Sequence, residues 1–354
     1  MEIIEKIKRS IPDAEFGAML LTSPVNRFFA TGFASSAGAL FITADDAWFF
    51  TDSRYIEAAE AAIPNARVRL VTKDETYAKQ IGGLLSGSGI ETIGFEDGHV
   101  TYAGYLEWDE KLPAKLKPAR QYMDDLRAVK SNDDLEKMKK AQRIAEKSFG
   151  ELLPSINKNI TEKQLATSLI NLMAKNGADD KSFDPIIVSG VKSSMPHGVP
   201  GEKTVSDGFL TIDFGAKLDG WCSDTTRTLC VGAPSGEMVK IYDTVLAAQE
   251  AGIKAARAGV RGCDVDAAAR AVIEQAGYGE YFGHGFGHGL GLEVHEPPNA
   301  SQIYEKPLPA GAVISAEPGI YLPGKFGVRI EDVIFIKEDG CENITNLPKG
   351  LIVL

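Results

Sequence analysis

The sequence predicts two domains: a small α/β unit over residues 1–125, then an α+β domain over 126–354 with an antiparallel sheet flanked by helices. Three observations predict this. The chain has 354 residues, more than one ordinary hydrophobic core organises. Its first third alternates short apolar runs with helical patterns, the signature of a sheet covered by helices. Its last two thirds are strand-rich, with acidic residues and histidines set into or beside the strands.

In the first domain the runs Ala18–Leu21, Gly38–Ile42, Ala47–Thr51, Val68–Val71 and Thr92–Phe95 are bounded by turn residues and predict strands. Helical patterns lie between them at 53–63 and 74–85, and the aromatics Phe28, Phe29, Trp48, Phe49 and Phe50 are core candidates. No catalytic set assembles here. Residues 111–134 are charged and carry prolines, which predicts an inter-domain linker.

Ser131 followed by Asp134 predicts a helix start, and Leu135, Met138, Ala141, Ala145, Phe149 and Leu152 make its apolar stripe. Thr161 with Gln164 forms a capping box for a helix that Gly177 ends. Two more helices are expected at about 236–257 and 264–276, the second with Asp264 as N-cap. FDPIIVSG leads into a loop that holds His197. A hairpin follows at 209–231, with single strands near 312–322 and 327–336.

Composition excludes several function classes. Hydrophobic content of 44% and charged content of 25% are ordinary for a globular protein. A net charge of -11 with pI near 5.1 argues against nucleic acid and anionic membrane surfaces. No apolar run reaches membrane-spanning length, and the charged N-terminus lacks the apolar region of a signal peptide. Cys222, Cys230, Cys263 and Cys341 form no CxxC, so reduced thiols in a cytoplasmic protein are expected.

Three of the five histidines, His284, His288 and His295, fall within Tyr281–Pro298. A helix there would put His284 and His288 on one face. Alternate glycines from Gly283 to Gly291 exclude it, because at about 1 kcal/mol each they would cost a helix roughly 5 kcal/mol. In an extended chain the two histidines still share a side, and the glycines leave room for a neighbouring backbone or a ligand. No register of these glycines fits a dinucleotide-binding loop.

Asp213, Asp224, Glu317 and Glu331 are each flanked by apolar, strand-forming residues, where carboxylates are disfavoured. Each unpaired buried carboxylate costs about several kcal/mol. Two divalent cations would balance four carboxylates. With one imidazole the set is oxygen-rich, which suits Mn²⁺ first and then Co²⁺ or Fe²⁺, without the cysteines. Two such ions about 3.5–4 Å apart form a hydrolytic clamp.

The pieces IDFGAKLDGWCSDTTRT, GHGLGLEVHEPP, AEPGIY and VRIEDV resemble the pita-bread metallopeptidases, and NRFFATGF and TDSRYIEAA extend the resemblance to the creatinase/prolidase branch. The resemblance implies a curved pita-bread sheet and a dinuclear centre of Mn²⁺, Co²⁺, Fe²⁺ or Zn²⁺. Asp213, Asp224, His288, Glu317 and Glu331 would be its ligands, with Asp224 and Glu331 bridging. It implies catalytic or substrate roles for Glu317, His295, His197, His284 and Arg329, and places Asp332 behind the ligands. The implied reaction is hydrolysis of an N-terminal Xaa-Pro bond by a metal-bridging hydroxide. The enzyme would be an Xaa-Pro aminopeptidase; the alternative is a dipeptidase (prolidase). A non-catalytic relative should have lost ligands. A homodimer and a peptide substrate with proline in second position are the implied partners.

Overall fold

The computed structural model describes residues 3–354. The chain divides into two compact units, Met1–Leu126 and Arg127–Leu354.

The N-terminal unit is built on a six-stranded sheet in the order 67–70, 47–51, 39–43, 18–21, 92–95, 115–118. Its first two hairpin-like pairings, 18–21 with 39–43 and 39–43 with 47–51, are antiparallel; the remaining three are parallel. The central strands are buried along their length, which explains their unbroken apolar runs. Residues 111–134 are not a linker: they form the strand Lys115–Pro118, a helix over Arg120–Ala128 and the start of the helix Asn132–Leu152. The strand lies at the sheet's edge, where lysines and a proline are tolerated. That is why its composition resembles a loop. The helix Pro24–Thr31 is capped by the Ser23 hydroxyl and ends at Gly32 in the left-handed region.

In the C-terminal unit the two expected capping boxes, Ser131/Asp134 and Thr161/Gln164, start the helices Asn132–Leu152 and Glu162–Lys175. The predicted stripe of the first is buried. Helices Gly236–Ala255 and Gly262–Gln275 follow. The second begins earlier than expected: Arg261 is its N-cap, and Asp264 sits in the first turn with both oxygens on the Arg261 guanidinium.

The strands form antiparallel sheets. One has the order 225–231, 208–214, 186–189; another the order 296–300, 287–289, 313–316, 332–337, 340–343. Residues 312–322 are not one strand. Val313–Ala316 belongs to the five-stranded sheet, and Gly319–Leu322 pairs instead with Phe326–Arg329. The break falls at Glu317–Pro318, where proline has no N–H to continue a ladder. Residues 327–336 break likewise at Ile330–Glu331, because the Glu331 N–H turns to Thr226 O at 3.1 Å. The glycine-rich segment is extended at Gly287–Gly289. A Cβ on Gly287 would lie 1.9 Å from Ser315 O, and one on Gly289 2.1 Å from Glu296 O, so the neighbouring backbones fill the space the glycines leave.

Candidate active site

The sheet breaks bring the acidic residues together. Asp213 lies on the strand Gly208–Phe214, and Asp224 immediately precedes the paired strand Thr225–Val231. His288 comes from the glycine-rich strand. Glu317 and Glu331 occupy the two breaks. All five line one cavity of about 430 Å³, and so do His197, His284, His295 and Arg329. Phe183, Ile186, Pro196 and Val294 add apolar wall. The structure therefore collects every site residue expected from sequence.

Asp224, His288 and Glu331 each offer a ligand atom, all within 4.8 Å of one another. The His288 Nδ1–H donates to Gly289 O at 3.2 Å, which leaves Nε2 as the inward-facing nitrogen. It lies 3.2 Å from Glu317 Oε1 and 3.7 Å from Asp224 Oδ2. A lone pair against two carboxylates requires a proton or a cation between them. Asp213 Oδ1 and Glu331 Oε1 are buried with no hydrogen-bond partner. Burial, reinforced by the neighbouring carboxylates, pushes Asp224 and Glu331 well above the usual carboxylate range. Burial raises Asp213 too, although Arg329 opposes it. These orphaned oxygens, in a hard O/N donor set, fit divalent cations.

The other groups respond to the same charges. Burial would raise Glu317, but the hydrogen bond and charge of His288, with His284 and Arg329, outweigh it and hold the carboxyl at about 2. Burial opposes charge on His288, and Glu317 reverses the balance, so its pKa is raised. His284 is lowered by burial; His295 is lowered by burial and then by His288, whose ring centroid is 4.3 Å away. The desolvation of His295 is only partial, since it and His197 are exposed to solvent at the cavity wall.

Arg329 is 4% exposed. Its guanidinium donates to Asp213 Oδ2 at 2.7 Å, Tyr321 Oη at 2.8 Å, Thr226 Oγ1 at 3.0 Å and Pro196 O at 3.3 Å. Tyr321 and Thr226 were not legible as site residues. A tyrosine and a threonine in strands signal packing, and only the hydrogen bonds reveal more. Thr226 Oγ1 donates to Glu331 Oε2 at 2.7 Å. Tyr321 Oη lies 3.0 Å from His284 Nε2. The His284 Nδ1–H donates to Gly285 O at 2.9 Å, so the neutral ring accepts from the tyrosine. Burial pushes Tyr321 up to about 12. Asp332 is buried and accepts from Arg227 at 2.8 Å and Asn343 at 2.6 Å.

A buried carboxylate cluster able to hold metal, inside antiparallel sheets flanked by helices and preceded by an α/β unit, defines a two-domain metallopeptidase. Residues 136–338 match the metallopeptidase family M24, and residues 3–129 match the creatinase/prolidase N-terminal domain. The chain belongs to metallopeptidase family M24. It is 38% identical to the solved Xaa-Pro dipeptidase from Bacillus anthracis, with a TM-score of 0.95 over 99% of each chain. It is 36% identical to the X-Pro aminopeptidase from Thermotoga maritima, with a TM-score of 0.90, over 98% of this chain and 100% of that one. A Pyrococcus furiosus Xaa-Pro dipeptidase is 35% identical over 99% of both. The family uses divalent metals. No helix among the described residues is long and apolar enough to cross a membrane.

Proposed function

We propose that the chain is an Xaa-Pro aminopeptidase, cytoplasmic and homodimeric, with two divalent ions, Mn²⁺ foremost, held by Asp213, Asp224, His288, Glu317 and Glu331. Bound ions supply Lewis acidity and a water of lowered pKa. The chain's own residues do the rest. Arg329 fixes Asp213 Oδ2, and Thr226 fixes Glu331 Oε2, so that their unpartnered oxygens would be free to hold the ions. Glu317, ionised throughout the neutral range, accepts the attacking water's proton. His295, whose pKa is lowered by partial desolvation and by His288, donates a ring N–H toward the substrate carbonyl oxygen. His197 faces the leaving side. His284 has both nitrogens engaged and fixes Tyr321, which in turn accepts from Arg329. A proline nitrogen carries no N–H, so the apolar wall needs no acceptor there.

One observation supports aminopeptidase over dipeptidase. A dipeptide ends in a carboxylate one residue beyond the cleaved bond. Among the described residues lining the cavity, Arg329 is the only lysine or arginine, and four of its five N–H groups already donate, to Asp213, Tyr321, Thr226 and Pro196. A longer peptide places a neutral amide there. The dipeptidase reading draws its support from the relatives bearing that name. Protein stripped of metal and reloaded with Mn²⁺ or Co²⁺ tests both, using Xaa-Pro, Xaa-Pro-Yaa and Xaa-Ala-Yaa peptides side by side. Tripeptide cleavage with proline preference is expected. Cleavage of the dipeptide alone would establish the dipeptidase.

A further inference from the structure

The N-terminal unit has a cavity of its own, about 480 Å³, lined by Thr22, Arg27, Ser36, Tyr77, His99 and Trp108 among others. None of its described lining residues is Asp or Glu, in a chain of net charge -11.

Arg27 is 1% exposed. Its Nη2 donates to Ser35 O at 2.9 Å and its Nε to Ser23 O at 3.4 Å. Nη1 is buried with no partner. Burial lowers the Arg27 pKa, with Tyr77 and Glu96 opposing, yet a guanidinium keeps its proton in proteins. A buried donor of a charged group left unmade is costly. Glu96, the carboxylate whose charge acts on Arg27, and Asp52 are engaged elsewhere. Glu96 accepts from the Ser23 N–H at 2.8 Å and Asn26 Nδ2 at 2.7 Å, and Asp52 accepts from Arg54 at 2.7 Å. Gly38 packs directly against this group: its φ is +148°, and a Cβ there would sit 2.5 Å from Nη1.

We propose that this cavity binds a small oxyanion, a carboxylate or a phosphate, with Arg27 Nη1 as its anchor and Ser36, Tyr77 and His99 as the surrounding polar groups. A carboxylate-free lining and a buried guanidinium with an unpartnered nitrogen are two separate features. Both fit an anion and neither serves the peptidase chemistry. Every lining residue belongs to the N-terminal unit, so this site is distinct from the one built on Asp213 and Glu331.

Trp108 gives a direct probe. Full-length protein would be titrated with inorganic phosphate and separately with acetate, against chloride of equal ionic strength, while tryptophan fluorescence is followed. Equilibrium dialysis of labelled phosphate or acetate would accompany it. A saturable change is expected with at least one of the two, absent with chloride. Tighter phosphate binding identifies a phosphate ligand; equal or tighter acetate binding identifies a carboxylate. Arg27→Met should weaken binding about tenfold or more, the size of one charge-assisted hydrogen bond. Exposed His99→Asp, which leaves the core untouched, should weaken it severalfold. No saturation with either anion, the cavity holding only ordered water, would overturn the proposal. So would binding unaltered by both substitutions, which would place the anion elsewhere.

Discussion

The C-terminal unit buries two kinds of carboxylate and treats them in opposite ways. Glu296 and Asp332 face cations. Glu296 accepts from Lys130 at 2.7 Å and from Arg127; Asp332 accepts from Arg227 at 2.8 Å and lies 3.2 Å from Lys349 Nζ. Burial alone would raise both, but the lysines and arginines win and hold them below the usual range. Complete burial pushes Lys130 down in turn. Arg127 stays charged on the same carboxylate, so the ionised cluster is the state that leaves no buried group unpaired. Asp224 and Glu331 have no such partners and are raised instead. The fold thus separates carboxylates that the chain neutralises itself from carboxylates left for an external cation. The difference lies in partners and not in depth, since Glu331 and Asp332 are adjacent and 1% and 0% exposed.

The sharpest way to break this comparison is Glu331→Gln. It should abolish metal content and activity together, roughly a thousandfold in turnover, while raising the melting temperature of the metal-free protein. Metal analysis, peptide turnover and calorimetry check it; full metal content with near-normal turnover would remove Glu331 from the ligand set. Lys130→Met should do the reverse. Breaking a buried ion pair costs about 3–5 kcal/mol, and about 3 is expected because Arg127 remains; denaturant unfolding measures it. Tyr321→Phe removes the hydroxyl shared by His284 and Arg329, and roughly a tenfold fall in kcat with unchanged metal content is expected.

The smallest effect is in pH. Raised groups such as Asp224 and Glu331 favour folding fully below their unfolded values, about 3.9 and 4.3, and lose that advantage as pH rises through their higher folded values. Metal-free protein should therefore gain stability, on the order of 1 kcal/mol, as pH falls from 8 toward 5. Asp332 and Glu296 have lowered folded values. Their stabilisation is complete above the unfolded values and is lost only as pH falls below about 4. Metal-loaded protein should lack the gain between pH 8 and 5. Melting curves with and without chelator would show the two slopes, and parallel curves would end the distinction.

Sequence made the acids and histidines visible because apolar neighbours are an unusual setting for charge, and each is an isolated anomaly in a strand. It made the helix starts visible through Ser131 and Thr161, whose caps are local. What stayed hidden depends on distant partners. Tyr321 and Thr226 have ordinary strand chemistry, and their roles come from hydrogen bonds to Arg329, His284 and Glu331. The breaks at Glu317 and Glu331 were hidden because AVISAEPGIYL and GVRIEDVIFI keep strand-like composition across them; only the pairing registers separate the sheets. Lys115–Pro118 was mistaken for part of a linker because edge strands borrow the composition of loops.

Those breaks have a bearing on how such an enzyme can be altered. Glu317 and Glu331 each sit in a two-residue gap between strands of different sheets, so one inserted residue would displace a carboxylate by about 3.3 Å, a full strand step. The segment carrying His197 is anchored otherwise. Glu162 accepts from the Ser189 N–H at 2.8 Å and Lys192 at 2.6 Å at one end, and from the Gly201 N–H at 3.1 Å at the other; between them the Gly327 N–H holds the Ser193 hydroxyl and Arg329 holds Pro196 O, which leaves exposed Val199 as the point where length can change. Directed evolution of peptide preference should therefore find tolerated insertions beside Val199 and almost none at the two gaps.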